Sequence, residues 1–228
     1  MSIRPIFLTS IIFLASCTFK MEPPVLGSLK DSRDGRTYRT LTYKNQTWMA
    51  ENIAIGATIN SNEQLENNGI IEKYIYEDDE KNAAKGGLYT WDEAMQYSIA
   101  AGSQGICPQG WHLPTDEEWH AFEKNIAYFE IFCDQDRRGE GCVGAGWRLL
   151  FSDEMDFHMD YIGTKTPAHY GAPFMYAGNY LRFWSSSEHD SLNAVRRGSE
   201  KNRPTLDRDY YPKAWGYAVR CIKDLNTK

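Results

Sequence analysis

Basic charge is in short supply. Lys and Arg number 25 against 31 Asp and Glu, a formal net charge of −6. A nucleic-acid binder carries a net basic face, so that class is set aside. Cysteine is sparse, five in 228 residues, and no two stand at C-x-x-C, so zinc-ligand spacing is missing. The histidines include no H-E-x-x-H pair, and no segment has the ordered pattern of a calcium-binding loop. No unit repeats at the period of a solenoid or propeller. No serine triad or paired-acid site stands out, and no apolar run reaches the roughly 20 residues of a membrane-crossing helix. What is plentiful is aromatic: 7 Trp and 14 Tyr. Such side chains fill cores and also favour binding surfaces. With 42% hydrophobic and 25% charged residues, the chain reads as one globular domain with an N-terminal appendage.

The appendage is "MSIRPIFLTSIIFLASC". One positive charge, Arg4, precedes an apolar run from Pro5 to Ala15, too short to span and suited to a signal-peptide core. Leu14-Ala15-Ser16-Cys17 resembles a bacterial lipobox, in which the Cys becomes the lipid-bearing N-terminus. Thr18 follows it rather than Asp, which by resemblance to sorting rules favours the outer membrane. The reading is an exported lipoprotein: residues 1–16 a signal peptide, 17–28 a tether lipidated at Cys17 with Pro23, Pro24 and Gly27 as breakers, 29–225 the domain, and 226–228 a tail. Four cysteines remain, Cys107, Cys133, Cys142 and Cys221, an even count that reads as two disulfides. Three connectivities are open. Cys133 and Cys142 flank a polar loop and are near enough in sequence to pair, which would leave Cys107 to staple the middle of the domain to its end.

Tyr38–Tyr43 and Gln46–Asn52 read as a hairpin, with Lys44-Asn45 as its turn and Asn tolerating positive φ. Residues 54–87 are polar and read as a long irregular loop. Thr90 with Glu93, and Thr115 with Glu118, are capping-box pairs. The first predicts a helix to Gly102 with Trp91, Ala94, Met95, Ser98 and Ile99 on one face. The second predicts a helix with Trp119, Phe122, Ile126 and Phe129 inside. Asp116, Glu117 and Glu118 suit the first turn, where the helix dipole favours carboxylates. Residues 143–190 read as irregular except for a strand in "NYLRFWSSSE" ending near Trp184, and "GYAVRCIKD" reads as a last strand with alternating Tyr217, Val219 and Cys221.

"DGRTYRTLTYKNQTWMAENI", "GGLYTWDEAM", "CPQGWHLPTDEEW", "FWSSSE" and "GYAVRCIKD" occur in an order that resembles the Fibrobacter succinogenes major paralogous domain family, over roughly residues 31–224. "GWHLPTDEEW" is also similar to a segment of formylglycine-generating enzymes. The resemblance implies an α+β, C-type lectin-like fold: two helices packed on a small twisted antiparallel sheet, long irregular loops, disulfide-stapled. A bridge between Cys107 and Cys221 fits that layout. Where relatives carry a cysteine pair in a "KYCYxxDExNC"-like stretch, this chain has "KYIYEDDEKNAA", which implies that one disulfide is missing and the 54–87 loop less constrained.

Candidate chemistry is thin. His112 and His120 read as structural, and Glu77–Glu80 as a solvated acidic loop. Asp156, His158 and Asp160 in "DFHMD" would share one face of a strand and could take a divalent cation, so calcium is admitted as a possible cofactor and no other. Arg196, Arg197, Arg203 and Arg208 read as a solvated basic loop, with contact to acidic glycans or phosphates as the functional alternative. Trp147, Tyr170, Tyr176, Tyr180, Tyr210, Tyr211 and Trp215 lie outside the regular segments and form the candidate ligand surface. The expectation is a non-catalytic surface module holding a glycan or a surface protein, tied to the membrane through Cys17. The alternatives are a structural subunit of a surface assembly and, more remotely, a formylglycine-generating-type enzyme, whose chemistry needs a reactive cysteine pair holding copper.

Overall fold

A computed structural model describes residues 21–150 and 155–225. Cys17, the signal segment and residues 226–228 lie outside these. The chain enters through β1 (Val25–Lys30), β2 (Thr37–Tyr43) and β3 (Gln46–Met49), an antiparallel meander. Strand pairing thus begins at Val25, inside the segment expected as tether. The β2–β3 turn forms as expected, but Lys44 rather than Asn45 takes the positive φ, at 54°. The 54–87 segment is less irregular than its polarity suggests. It holds a short parallel pair, β4 (Ala57–Thr58) and β5 (Glu72–Lys73), and buries Tyr74 and Ile75.

Helix α1 (Trp91–Ala94) is a single turn. The expected continuation to Gly102 fails because Gln96 and Tyr97 both adopt left-handed φ, 49° and 60°, which L-residues do not sustain in a helix. Ile99 is left exposed. The capping box is half-made. The Thr90 hydroxyl accepts from the Glu93 amide, while the Glu93 carboxylate turns away to the Glu72 amide, Gln96 Nε2 and the Tyr97 hydroxyl. After β6 (Trp111–His112), α2 (Asp116–Ile126) has the full box: Thr115 Oγ1 accepts from the Glu118 amide at 3.1 Å, and Glu118 Oε2 from the Thr115 amide at 2.8 Å. Trp119, Phe122 and Ile126 are fully buried, each contributing about 1.5–3 kcal/mol. Phe129 is not among them, because the chain turns extended at Ala127 and carries it outward.

Beyond α2 lie β7 (Gly139–Glu140), α3 (Ala145–Leu150), and the pair β8 (Thr164–Lys165) and β9 (Phe174–Met175). Three long strands follow, β10 (Tyr180–Glu188), β11 (Asn193–Glu200) and β12 (Arg203–Pro212), then β13 (Ile222–Lys223). The described residues therefore hold three α-helices and two principal sheets, ordered β1-β2-β3-β13-β6 and β10-β11-β12-β7, rather than two helices on one small sheet. β10 runs past Trp184 to Glu188 with an irregularity between them. There Ser185 Oγ donates to the Val195 carbonyl, Ser186 Oγ accepts from the Gly102 amide and Ser187 Oγ accepts from the Asp116 amide. The serine run ties the Gly102 turn and the start of α2 to the sheet and bonds across to the neighbouring β11.

"GYAVRCIKD" is only partly a strand. It threads between the two sheets, bonding to Tyr89, Arg182 and Trp184 on one stretch and to Met49 and Ile53 on the next. Both alternations are consequently buried, Tyr217, Val219 and Cys221 on one and Ala218 and Arg220 on the other. Arg220 packs over Phe157 and Phe183 and donates to Asn52 Oδ1 at 3.1 Å and to the His158 carbonyl. Burial pushes its guanidinium down to about 9. The disulfides are Cys107–Cys221 and Cys133–Cys142, one of the three connectivities open from sequence.

Candidate functional site

Pairing register decides which side chains share a face. Phe183, Arg197 and Arg208 form one cross-strand row, and Arg182, Gly198, Asp207 and Glu140 form the next, on the opposite face. The first row looks at α2. The buried Arg197 donates to Asp116 Oδ1 at 2.7 Å and to Glu123, Arg208 reaches Asp116 Oδ2 at 2.6 Å, and Arg137 also meets Glu123. This corrects the basic-loop expectation. All four of Arg196, Arg197, Arg203 and Arg208 sit on strands with acids as counter-charges, and only Arg203, paired with Glu140 and Glu200, is exposed. It also enlarges the role of Asp116, which serves the helix dipole and anchors the second sheet as well. Burial pushes the Asp116 carboxyl up, but hydrogen bonds and charge from Arg208 and Arg197 outweigh it and hold its pKa low.

The second row is open. Gly139, Glu140, Tyr180, Arg182, Arg196, Asp207 and their neighbours line a cleft of about 390 Å³. Arg196 is nearly buried and held by Asp207 at 2.6 Å and Asp209 at 3.5 Å, with Tyr211 beside its guanidinium. Gly198 makes that posture possible: a Cβ there would stand 2.1 Å from Arg196 Nη1. Arg182 differs. Its guanidinium lies against the rings of Tyr180 (4.9 Å), Tyr176 (5.4 Å) and Tyr217 (5.9 Å). Among the described residues no carboxylate lies within ion-pair distance of it. Sequence reasoning missed Arg182 because "NYLRFW" registered only as a strand. The usable signal was its two-residue spacing from Tyr180, which puts both on one face.

The candidate aromatics divide accordingly. Tyr176 and Tyr180 meet at 5.0 Å beside Arg182. Tyr170 and Tyr211 pack edge-on to Trp215, at 4.8 and 5.7 Å. Trp215 itself is only 5% exposed, a core residue that props Tyr170 rather than a platform. Tyr210 stacks on His189 at 3.7 Å beneath Arg138. Trp147 stands on α3 against Tyr128, in a neighbouring groove that shares Glu140 and Thr205 with the cleft.

Asp156, His158 and Asp160 are not on a strand, so the alternation that would align them is absent. Asp156 is engaged by Arg39 at 3.3 Å. Among the described residues the donors that converge are His120, Cys133 and Cys142. As a disulfide the two sulfurs are not thiolate ligands, and burial pushes the His120 imidazole down. His112 bridges Glu118 at 3.0 Å and Asp224 at 2.6 Å, joining the start of α2 to the end of the chain. Glu77 and Glu80 remain solvent-facing, while between them Asp78 accepts from the Ser61 amide and hydroxyl and Asp79 caps the following turn.

No curated protein and no solved structure matches this chain. The family model described as the Fibrobacter succinogenes major domain matches residues 41–223, which take in both disulfides, the open cleft and all of the first sheet but β1 and the start of β2, and the chain belongs to that family.

Proposed function

We propose that the chain is a non-catalytic binding module of C-type lectin-like fold, exported and anchored through lipid on Cys17, which holds a glycan in the β10–β12 cleft. The observation that carries the reading is Arg182. A guanidinium with no carboxylate partner among the described residues, flanked by tyrosine rings on a sheet, is built to accept an acidic or hydroxyl-rich ligand. Tyr180 and Tyr176 offer faces for a sugar ring, and Asp207 and Glu140 offer acceptors for hydroxyls. The Cys107–Cys221 bridge and capped α2 favour the lectin-like fold, and the long hydrogen-bonded strands β10–β12 present the cleft on a continuous sheet.

The test is retention of the disulfide-bonded full chain on a panel of neutral and uronic-acid polysaccharides, with calcium and with a chelator. Saturable binding should fall at least ten-fold in Arg182→Ala and in Tyr180→Ala, with unchanged thermal midpoints. Stronger retention on uronic-acid polymers would identify the guanidinium's partner, and chelator sensitivity would place a cation in the complex. Binding that ignores both substitutions, or none across the panel, refutes the glycan reading and favours a protein partner in a surface assembly.

A further inference from the structure

Five exposed apolar residues lie together beside α2. Ile131 is 86% exposed, Phe132 59%, Phe129 56%, Val143 51% and Trp147 42%. The Phe129 and Phe132 rings meet at 6.0 Å, the Tyr128 amide donates to the Val143 carbonyl at 2.8 Å, and the Tyr128 ring lies 6.2 Å from Trp147. The Cys133–Cys142 bridge clamps the two contributing loops together. They cannot separate to bury this surface elsewhere. Contiguous exposed apolar surface of this kind marks a contact face.

The described chain starts at the same place. Met21 and Glu22 line a groove with Tyr43, Lys44, Tyr128, Phe129 and Ile131, about 570 Å³ in volume, and Met21 packs on the main core. Upstream lie Cys17 and the apolar run from Pro5 to Ala15. Met21 is four residue steps from Cys17, a reach of at most about 14 Å. Whatever holds Cys17 to a bilayer therefore holds this patch next to it. The chemistry agrees: Trp suits the headgroup boundary, and Trp and Phe together are typical of apolar faces that lie in the interface. Charges around the groove are mixed, Lys44 and Arg148 against Glu22 and Glu130, so apolar insertion rather than attraction to anionic lipid would hold the face.

We infer that the surface of Phe129, Ile131, Phe132, Val143 and Trp147 rests in the bilayer interface as the second membrane contact of the anchored protein, an inference that depends on the exported-lipoprotein reading. It is tested on the full chain, purified from membranes and reconstituted in phosphatidylethanolamine–phosphatidylglycerol vesicles doped with phosphatidylcholine brominated near the glycerol end of its acyl chains. The other six tryptophans are buried, so quenching by bromine reports Trp147. The expected result is quenching that disappears in Trp147→Phe, falls at least three-fold in Ile131→Asp, and changes little between low and high salt. Ile131 is so exposed that its substitution leaves the fold alone, which circular dichroism checks. Intact-mass measurement of lipid on Cys17 tests the anchor separately. A lipidated, vesicle-bound chain with unquenched Trp147 overturns the inference while the anchor stands. So does protection of Trp147 from acrylamide in lipid-free solution, which would mean that the N-terminal residues upstream of Met21 still present or a partner protein cover the patch. Quenching without lipid on Cys17 overturns the anchor and sustains the patch.

Discussion

Replacing Asp116 by Asn keeps the size and position of the side chain in the first turn of α2 and removes its charge. In the native protein Oδ1 accepts from Arg197 Nη1 at 2.7 Å and Arg208 Nε at 2.9 Å, and Oδ2 from Arg208 Nη2 at 2.6 Å. Arg197 is fully buried, and its other acid, Glu123, is shared with Arg137. The native group of three arginines and two carboxylates becomes three against one. Stranding one member of a buried pair costs about 3–5 kcal/mol. Arg208 lies nearer solvent and recovers part of its hydration, so the expectation is about 3–4 kcal/mol at pH 7. Urea unfolding followed by tryptophan fluorescence measures it, with an unchanged slope as the sign that the unfolded state is untouched. Because the folded carboxyl has a depressed pKa, its contribution is complete above the unfolded value of about 3.9 and is lost as pH falls through the lower folded value. The gap between native and Asp116→Asn should stay flat from pH 7 to about 5 and close below about 4. A loss under 1 kcal/mol, or a gap that widens on acidification, would refute the account of how α2 is joined to the second sheet.

Two further tests address the staples and the chain end. Removing the Cys107–Cys221 bridge with paired Ala substitutions opens a loop of sequence separation 114, against 9 for Cys133–Cys142. Loop entropy predicts losses of about 5 and about 3 kcal/mol respectively, and urea midpoints showing the short bridge to matter more would contradict that ordering. For His112, burial pushes the pKa down, but hydrogen bonds that it donates to the Glu118 and Asp224 carboxylates outweigh it and raise it above 6.5. Its stabilisation is full below the unfolded pKa and fades as pH rises through the folded one. His112→Asn should therefore cost about 1–2 kcal/mol at pH 5.5 and clearly less at pH 9, and an equal cost at both by thermal unfolding would show the contact to be uncharged.

The local code was legible wherever neighbours in sequence are also neighbours in space. Thr115, Glu118, Trp119, Phe122 and Ile126 specify a capped amphipathic helix whatever surrounds them, and Tyr38–Gln46 specifies a hairpin. The same rules overreached at Ile99 and Phe129, where left-handed residues or an extended exit end the periodicity that composition alone would continue. The five family motifs named the family because their order survives without geometry. Only the tertiary structure could place Arg197 and Arg208 on Asp116, since those charges are about 80 and 90 residues apart in sequence and an arginine run looks equally solvated or buried until its acids are found. The open cleft has the same origin. Arg182, Gly198, Asp207 and Glu140 come from four strands, and β-pairing register, fixed by the burial of Phe183 and its row against α2, decides that they share a face.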